Sequence, residues 1–134
     1  MASVDLKTNI DEKLALNNAA ITSDTTTVGN EIDTAGFESL TFIAQLGVVT
    51  DGTYTPYITE CATSGGTFTA VADADLIGTE AAAALTATNT VSRIGYVGKL
   101  QFVKFSFVST ATSSGVAAAS AVAVLGSPRH APVA

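Results

Sequence analysis

Residues 39–49 read SLTFIAQLGVV, and their alternation decides the fold class. Leu40, Phe42, Ala44 and Leu46 fall on one side of an extended chain, and Thr41, Ile43 and Gln45 on the other, because successive side chains of a strand point to opposite faces. The stretch therefore predicts a strand with one strongly buried side. The TDGTYT that follows (50–55) places Asp51-Gly52 between two β-prone runs, where glycine tolerates the positive φ of a tight turn. Pro56 lies within the next strand, 54–61; it lacks a ladder donor, so it belongs at a sheet edge or a bulge. A second turn at Gly65-Gly66 leads through Phe68 and Val71 into a further strand, and two hairpin signals in succession predict a meander.

The same period returns in TVSRIGYVGKLQFVKFSFVS (90–109). Two strands are expected there, 91–97 and 100–108, joined at Gly98-Lys99, with Val103, Phe105 and Phe107 sharing a face. Residues 72–90 are the least strand-like part and read as a helical turn over 81–85 or a loop crossing between sheets. After the polar TATSSG, residues 116–125 form the last strand, with alanines on one side and Val116, Val122 and Val124 on the other. An alanine face lets a neighbouring sheet or subunit approach closely. Short strands punctuated by turn residues, without a sustained helical period, indicate an all-β chain: an antiparallel β-sandwich or jelly-roll-like single domain.

The ends read differently. Residues 1–20 mix charge with scattered Val4, Leu6, Ile10, Leu14 and Leu16, which predicts an extended N-terminal arm. The domain is expected over 21–126, and 127–134 form a short C-terminal tail that holds Pro128, Arg129, His130 and Pro132. Pro128 and Pro132 stiffen that exit as an extended segment.

With 134 residues the chain has the length of one domain. A net charge of −6, with only 6 lysines and arginines, is too poor in positive charge to neutralise a run of phosphates, so nucleic acid is not an expected partner. Charged residues make up only 13% of the chain, which points towards a surface partly covered in an assembly. The single cysteine, Cys61, excludes an internal disulfide. Asp5, Lys7, Asp11 and Glu12 stand where a signal peptide needs an apolar core, and the longest apolar run is too short to span a bilayer, so synthesis in the cytoplasm and no membrane partner are expected.

No catalytic, cofactor-binding or metal site is expected. The sole histidine, His130, sits in a proline-flanked tail with nothing to hold it against Cys61 or a serine. Asp73 and Asp75 share a strand face as a carboxylate pair might, without an aromatic platform. DADLIGTEAAAA (73–84) starts like a calcium loop but has Ile77 and Ala84 at two ligand positions. The Gly95 to Gly98 stretch has no following helix to present amides to a phosphate.

Three stretches carry a resemblance: TDGTYTPYITECATSGGTFTAVADADLIGT (50–79), VSRIGYVGKLQFVKFSFV (91–108) and VLGSPRHAPVA (124–134). Together they resemble a family of small tailed-bacteriophage proteins encoded near the major capsid protein, the capsid decoration or cement proteins. Cys61 and Ala62 depart from the polar, acidic turn approach that this family would lead one to expect. The resemblance implies a virion protein on the capsid exterior, a homo-oligomer with a trimer favoured, that binds the major capsid protein and stabilises the shell by bridging its subunits. A head-tail or tail-tube protein, and a glycan-binding attachment module, are the alternatives; the absence of tryptophan weighs against the last. In this reading Val4, Leu6 and Ile10 add a strand to a partner's sheet edge, and Pro128, Arg129 and His130 tie the tail across a subunit boundary.

Overall fold

The computed structural model describes residues 4–130. It is a β-sandwich of two antiparallel sheets. The strands in chain order are β1 (Ile10–Ile21), β2 (Thr26–Asp33), β3 (Phe37–Leu46), β4 (Thr53–Cys61), β5 (Thr69–Ala70), β6 (Leu76–Ile77), β7 (Thr90–Tyr96), β8 (Phe102–Thr110) and β9 (Val116–Pro128). One sheet has the order β1-β9-β3-β7-β6 and the other β2-β8-β4-β5.

The alternation read from residues 39–49 is realised: Leu40, Phe42, Ala44 and Leu46 are all buried. They face the four-stranded sheet, whose inward residues are Tyr54, Ile58, Val103, Phe105 and Phe107. Phe42 meets Phe105 across the core with ring centroids 5.6 Å apart, and Phe105 meets Phe107 edge-on at 5.0 Å, a tilted geometry that aromatic quadrupoles favour. The alanines of β9, Ala119, Ala121 and Ala123, also point inward, so their closeness serves the chain's own second sheet. Val116 joins them in the core, which corrects its expected place beside Val122 and Val124. Between the pairs Ile21–Val116 and Ala19–Ala119 two residues of β9, Ala117 and Ala118, oppose the single Ala20 of β1, and this bulge flips the alternation.

The expected meander is corrected by the sheet order. β3 lies in the five-stranded sheet and β4 in the four-stranded one. The Asp51-Gly52 turn, with Gly52 at φ +99°, therefore carries the chain between layers. The connection at Gly98-Lys99 does the same for β7 and β8. Among the described residues only β4–β5 and β6–β7 are sequential strands that pair. A turn residue fixes local backbone, whereas the choice of neighbour depends on which faces are apolar across the whole sheet.

Both expected terminal boundaries fall inside strands. The expected N-terminal arm becomes β1 from Ile10 onward, an edge strand paired to β9, with Ala15, Leu16 and Ile21 buried. Its register shifts between Leu14 and Leu16, between Leu16 and Ala19, and again before Ile21, which erases the period-two signal in the sequence. β1 then runs close to β2: a Cβ on Gly29 would lie 2.1 Å from the Ala15 carbonyl oxygen, so only glycine fits there. At the other terminus β9 continues through Pro128, opposite Phe37.

Pro56 sits on the outer edge of β4, as its missing N–H requires. On that edge the Tyr54 N–H donates to the Leu85 carbonyl at 2.9 Å and the Ile58 N–H donates to Glu80 Oε1 at 2.7 Å. Residues 72–90 thus cover the sheet edge with a loop, after a 3-10 turn at Asp73–Asp75 and the short β6.

Candidate interaction surface

The strand pairings define which residues share the outward side of the five-stranded sheet. One row across the strands is Leu14, Val122, Ile43 and Arg93. The next is Glu12, Val124, Thr41, Gly95 and Ile77, and a third contains Ser120, Gln45 and Val91. Leu14 is 53% exposed, Ile43 37%, Val91 64% and Ile77 64%, so this aliphatic surface has no cover among the described residues. Gly95 makes room for Ile77: a Cβ there would stand 3.1 Å from the Ile77 Cβ. Gln45 donates its Nε2 hydrogen to Ser120 Oγ at 3.0 Å, which satisfies the polar pair at the margin.

The outward side of the four-stranded sheet is partly covered by the chain itself. The 62–68 loop folds back over it, held by Glu31 of β2, which accepts from Ser64 Oγ at 2.6 Å and from the Gly65 N–H at 2.9 Å. Those two bonds, the hydroxyl first, hold the Glu31 carboxyl below its ordinary range. Phe68 lies under the Lys104 ammonium, 4.3 Å from the ring centre. Cys61 is buried beside the same loop as a free thiol.

The residues expected at the two arms converge on one end of the five-stranded sheet. Ile10 pairs with Gly126, and Pro128 with Phe37. The Arg129 N–H donates to the Gly36 carbonyl at 2.9 Å and its Nε to Glu38 Oε1 at 2.5 Å, both side chains being exposed. His130 is exposed beside it, and Val4 and Leu6 are 86% and 65% exposed. A cleft of about 450 Å³ opens next to Arg129, lined by Thr34, Glu38, Lys99 and Gln101 among others. The part of the tail over 131–134 lies outside the described residues.

Inside that end, Tyr96 of β7 crosses the sandwich and donates its hydroxyl to Glu60 Oε2 of β4 at 2.6 Å, while the Leu100 N–H donates to the same hydroxyl at 3.2 Å. Burial, reinforced by the Glu60 carboxylate, pushes the Tyr96 phenol well above its ordinary range. The opposite end is tied by Asp51, whose carboxylate accepts from Ser113 Oγ at 2.5 Å and from the Gly115 N–H at 2.7 Å, together with the N–H groups of Ser113 and Ser114.

Among the described residues no three His, Cys, Asp or Glu side chains gather as a metal site would require. The arrangement offers surface for association, and its apolar part is carried by Leu14, Ile43, Val91, Ile77, Val122 and Val124. The sequence reading did not select these residues. Their signal was present in Ile43 on a polar side and in two valines opposite alanines, but it needs the strand order to become one surface.

No protein-family model and no curated protein matches the chain. Among solved structures, the crystal structure of the SPBc2 prophage-derived protein YomS is similar, with a TM-score of 0.52 and 19% identity over 89% of this chain and 94% of that one. The likeness is one of fold. It extends over nearly the whole of both chains, so the two-sheet architecture is shared as a unit.

Proposed function

We propose that this chain is a structural protein of a tailed bacteriophage, and within that class a decoration or cement protein on the capsid exterior. The observation that carries the phage reading is the fold shared almost end to end with a prophage-derived protein. The capsid role rests on the sequence resemblance and on a surface suited to association: an uncovered aliphatic sheet face, with exposed Val4, Leu6, Arg129 and His130 gathered at one end. The partner in this reading is the major capsid protein, and the chain itself assembles as a homo-oligomer.

The mechanism is multivalent clamping. A protein that touches two capsid subunits at once makes each second contact intramolecular, so modest contacts add up to a strong tie. Its role is then mechanical, with no bond made or broken. Val4 and Leu6 supply apolar anchors ahead of β1, and the Arg129–Glu38 pair offers charge to a polar rim where exposed ion pairs contribute little alone.

Purified particles of the encoding phage test this. Quantitative protein staining and electron microscopy are expected to find the chain in copy number comparable to that of the capsid subunits, on the outer shell. Its absence from particles, or its confinement to rings along the tail axis, would reject the capsid role.

A further inference from the structure

We infer that the outward side of the five-stranded sheet is a two-fold contact with a second copy of this chain. The contact stacks Ile43 and Val122 of one copy on the same residues of the other. This rests on the face itself, and it leaves the capsid contacts of the proposed function to the exposed end that carries Val4, Leu6, Arg129 and His130.

Self-complementarity carries the argument. In the strand order β1-β9-β3-β7, a two-fold axis parallel to the strands and running between β9 and β3 exchanges β9 with β3 and β1 with β7. It sets Leu14 of β1 against the β7 row that holds Arg93, and brings Glu12, two residues along β1, diagonally towards that same Arg93. The reciprocal pair forms on the other side of the axis, as an isologous contact requires. Glu12 and Arg93 are the charged residues in these rows. The face is therefore neutral in a chain of net charge −6, and two copies meet there without the like-charge repulsion that the rest of the surface would impose.

Size is consistent with such a pair. The four strands that the axis exchanges, about 4.8 Å apart and roughly seven residues long at about 3.4 Å each, present about 450 Å² in projection, and more once side-chain relief is counted. Specific complexes begin near ~600 Å² per partner, so the contact suits an affinity on the order of micromolar. Aligned sheets pack about 10 Å apart at a small angle, a spacing that Ile43, Val122, Val124 and Leu14 fill with aliphatic side chains. The other sheet cannot offer the same contact, because the Glu31-held loop occupies part of its outward side.

The test uses the full chain in sedimentation equilibrium across micromolar concentrations. The expected particle has twice the 13.5 kDa chain mass. Ile43→Lys is expected to leave a monomer with an unchanged far-ultraviolet circular dichroism spectrum, whereas Val28→Lys on the other sheet's outward side leaves the pair intact. Glu12→Arg and Arg93→Glu are each expected to weaken association about tenfold, and the double reversal to restore most of it. A monomeric wild-type chain overturns the inference, as does a three-fold particle or a pair indifferent to Ile43→Lys. Should the wild type be monomeric while Ile43→Lys abolishes binding to capsids, the face belongs to a capsid subunit and the inference is likewise overturned.

Discussion

Where β9 meets the four-stranded sheet, the two layers pack with opposite materials. Inside, the four-stranded sheet presents Tyr54, Phe105 and Phe107, while β9, next to the edge of the other sheet, presents Ala119, Ala121 and Ala123. Large against small lets the layers interdigitate at native density. Outside the two sheets differ again: the four-stranded sheet is partly covered by its own 62–68 loop, and the five-stranded sheet leaves Leu14, Ile43, Val91 and Ile77 in the open. Self-sufficiency and availability are thus divided between the two layers. Substitutions inside the aromatic layer therefore act on stability, and substitutions on the open layer act on binding.

The strongest way to break this division is from the aromatic side. Phe105 is fully buried and touches both Phe42 and Phe107. Phe105→Ala is expected to lower the unfolding free energy by about 3–5 kcal/mol, read from urea denaturation. Ile43→Ala, on the open side, should change the stability of a dissociated chain by under ~1 kcal/mol. Equal losses at the two positions would dissolve the contrast.

A smaller effect is expected from filling the small side. Ala121 has no exposed surface and faces the aromatic layer. Ala121→Leu forces extra methyl groups into a packed gap and is expected to cost about 1–3 kcal/mol in the same denaturation experiment. A neutral or stabilising result would mean that the layers are looser than the large-small arrangement implies.

The outer contrast can be sharpened at Glu31. Glu31→Ala removes both acceptors of the 62–68 loop, so that loop is expected to be cut roughly tenfold faster in limited proteolysis, while hydrogen exchange in β3, β8 and β9 stays unchanged. Unchanged cleavage would show that Phe68 under Lys104 suffices to hold the loop.

How far the sequence carried depended on whether a strand kept its alternation. β3, β4, β7, β8 and most of β9 were legible because Phe42, Ile58, Ile94, Phe105 and Ala121 sit in unbroken period-two runs. β1 was not, since three register shifts scatter Leu14, Leu16 and Ile21 across faces, and it read as an arm. The open face was invisible for a different reason. Leu14, Ile43, Val91, Ile77 and Val122 come from five strands, and only the order β1-β9-β3-β7-β6 makes them neighbours. Local alternation reports which residues face inward, whereas strand order is settled by competition among all apolar faces at once. The Asp51-Gly52 turn shows the same limit, because its backbone suits a hairpin and the chain uses it to change layers.

That layer change supplies the most delicate test. Asp51 stands on the connection from β3 to β4 and accepts hydrogen bonds from Ser113, Ser114 and Gly115 on the return connection from β8 to β9, so a single carboxylate clasps two of the crossings between the sheets. The Ser113 hydroxyl, followed by the backbone N–H groups, holds its carboxyl at about 2, below the ordinary value of 3.8. Because the folded value is the lower one, the clasp stabilises the fold fully above pH 4 or so and loses that contribution as pH falls from there towards about 2. Melting temperatures of the chain and of Asp51→Asn, measured from pH 6 down to pH 2, are expected to differ most at pH 6 and to converge on acidification. Glu31 and Asp33 are also held low by hydrogen bonds, so both curves decline, and it is the narrowing gap that isolates Asp51. Curves that stay parallel through this window would mean that the two layers are joined by their cores alone, with the crossings merely passing between them.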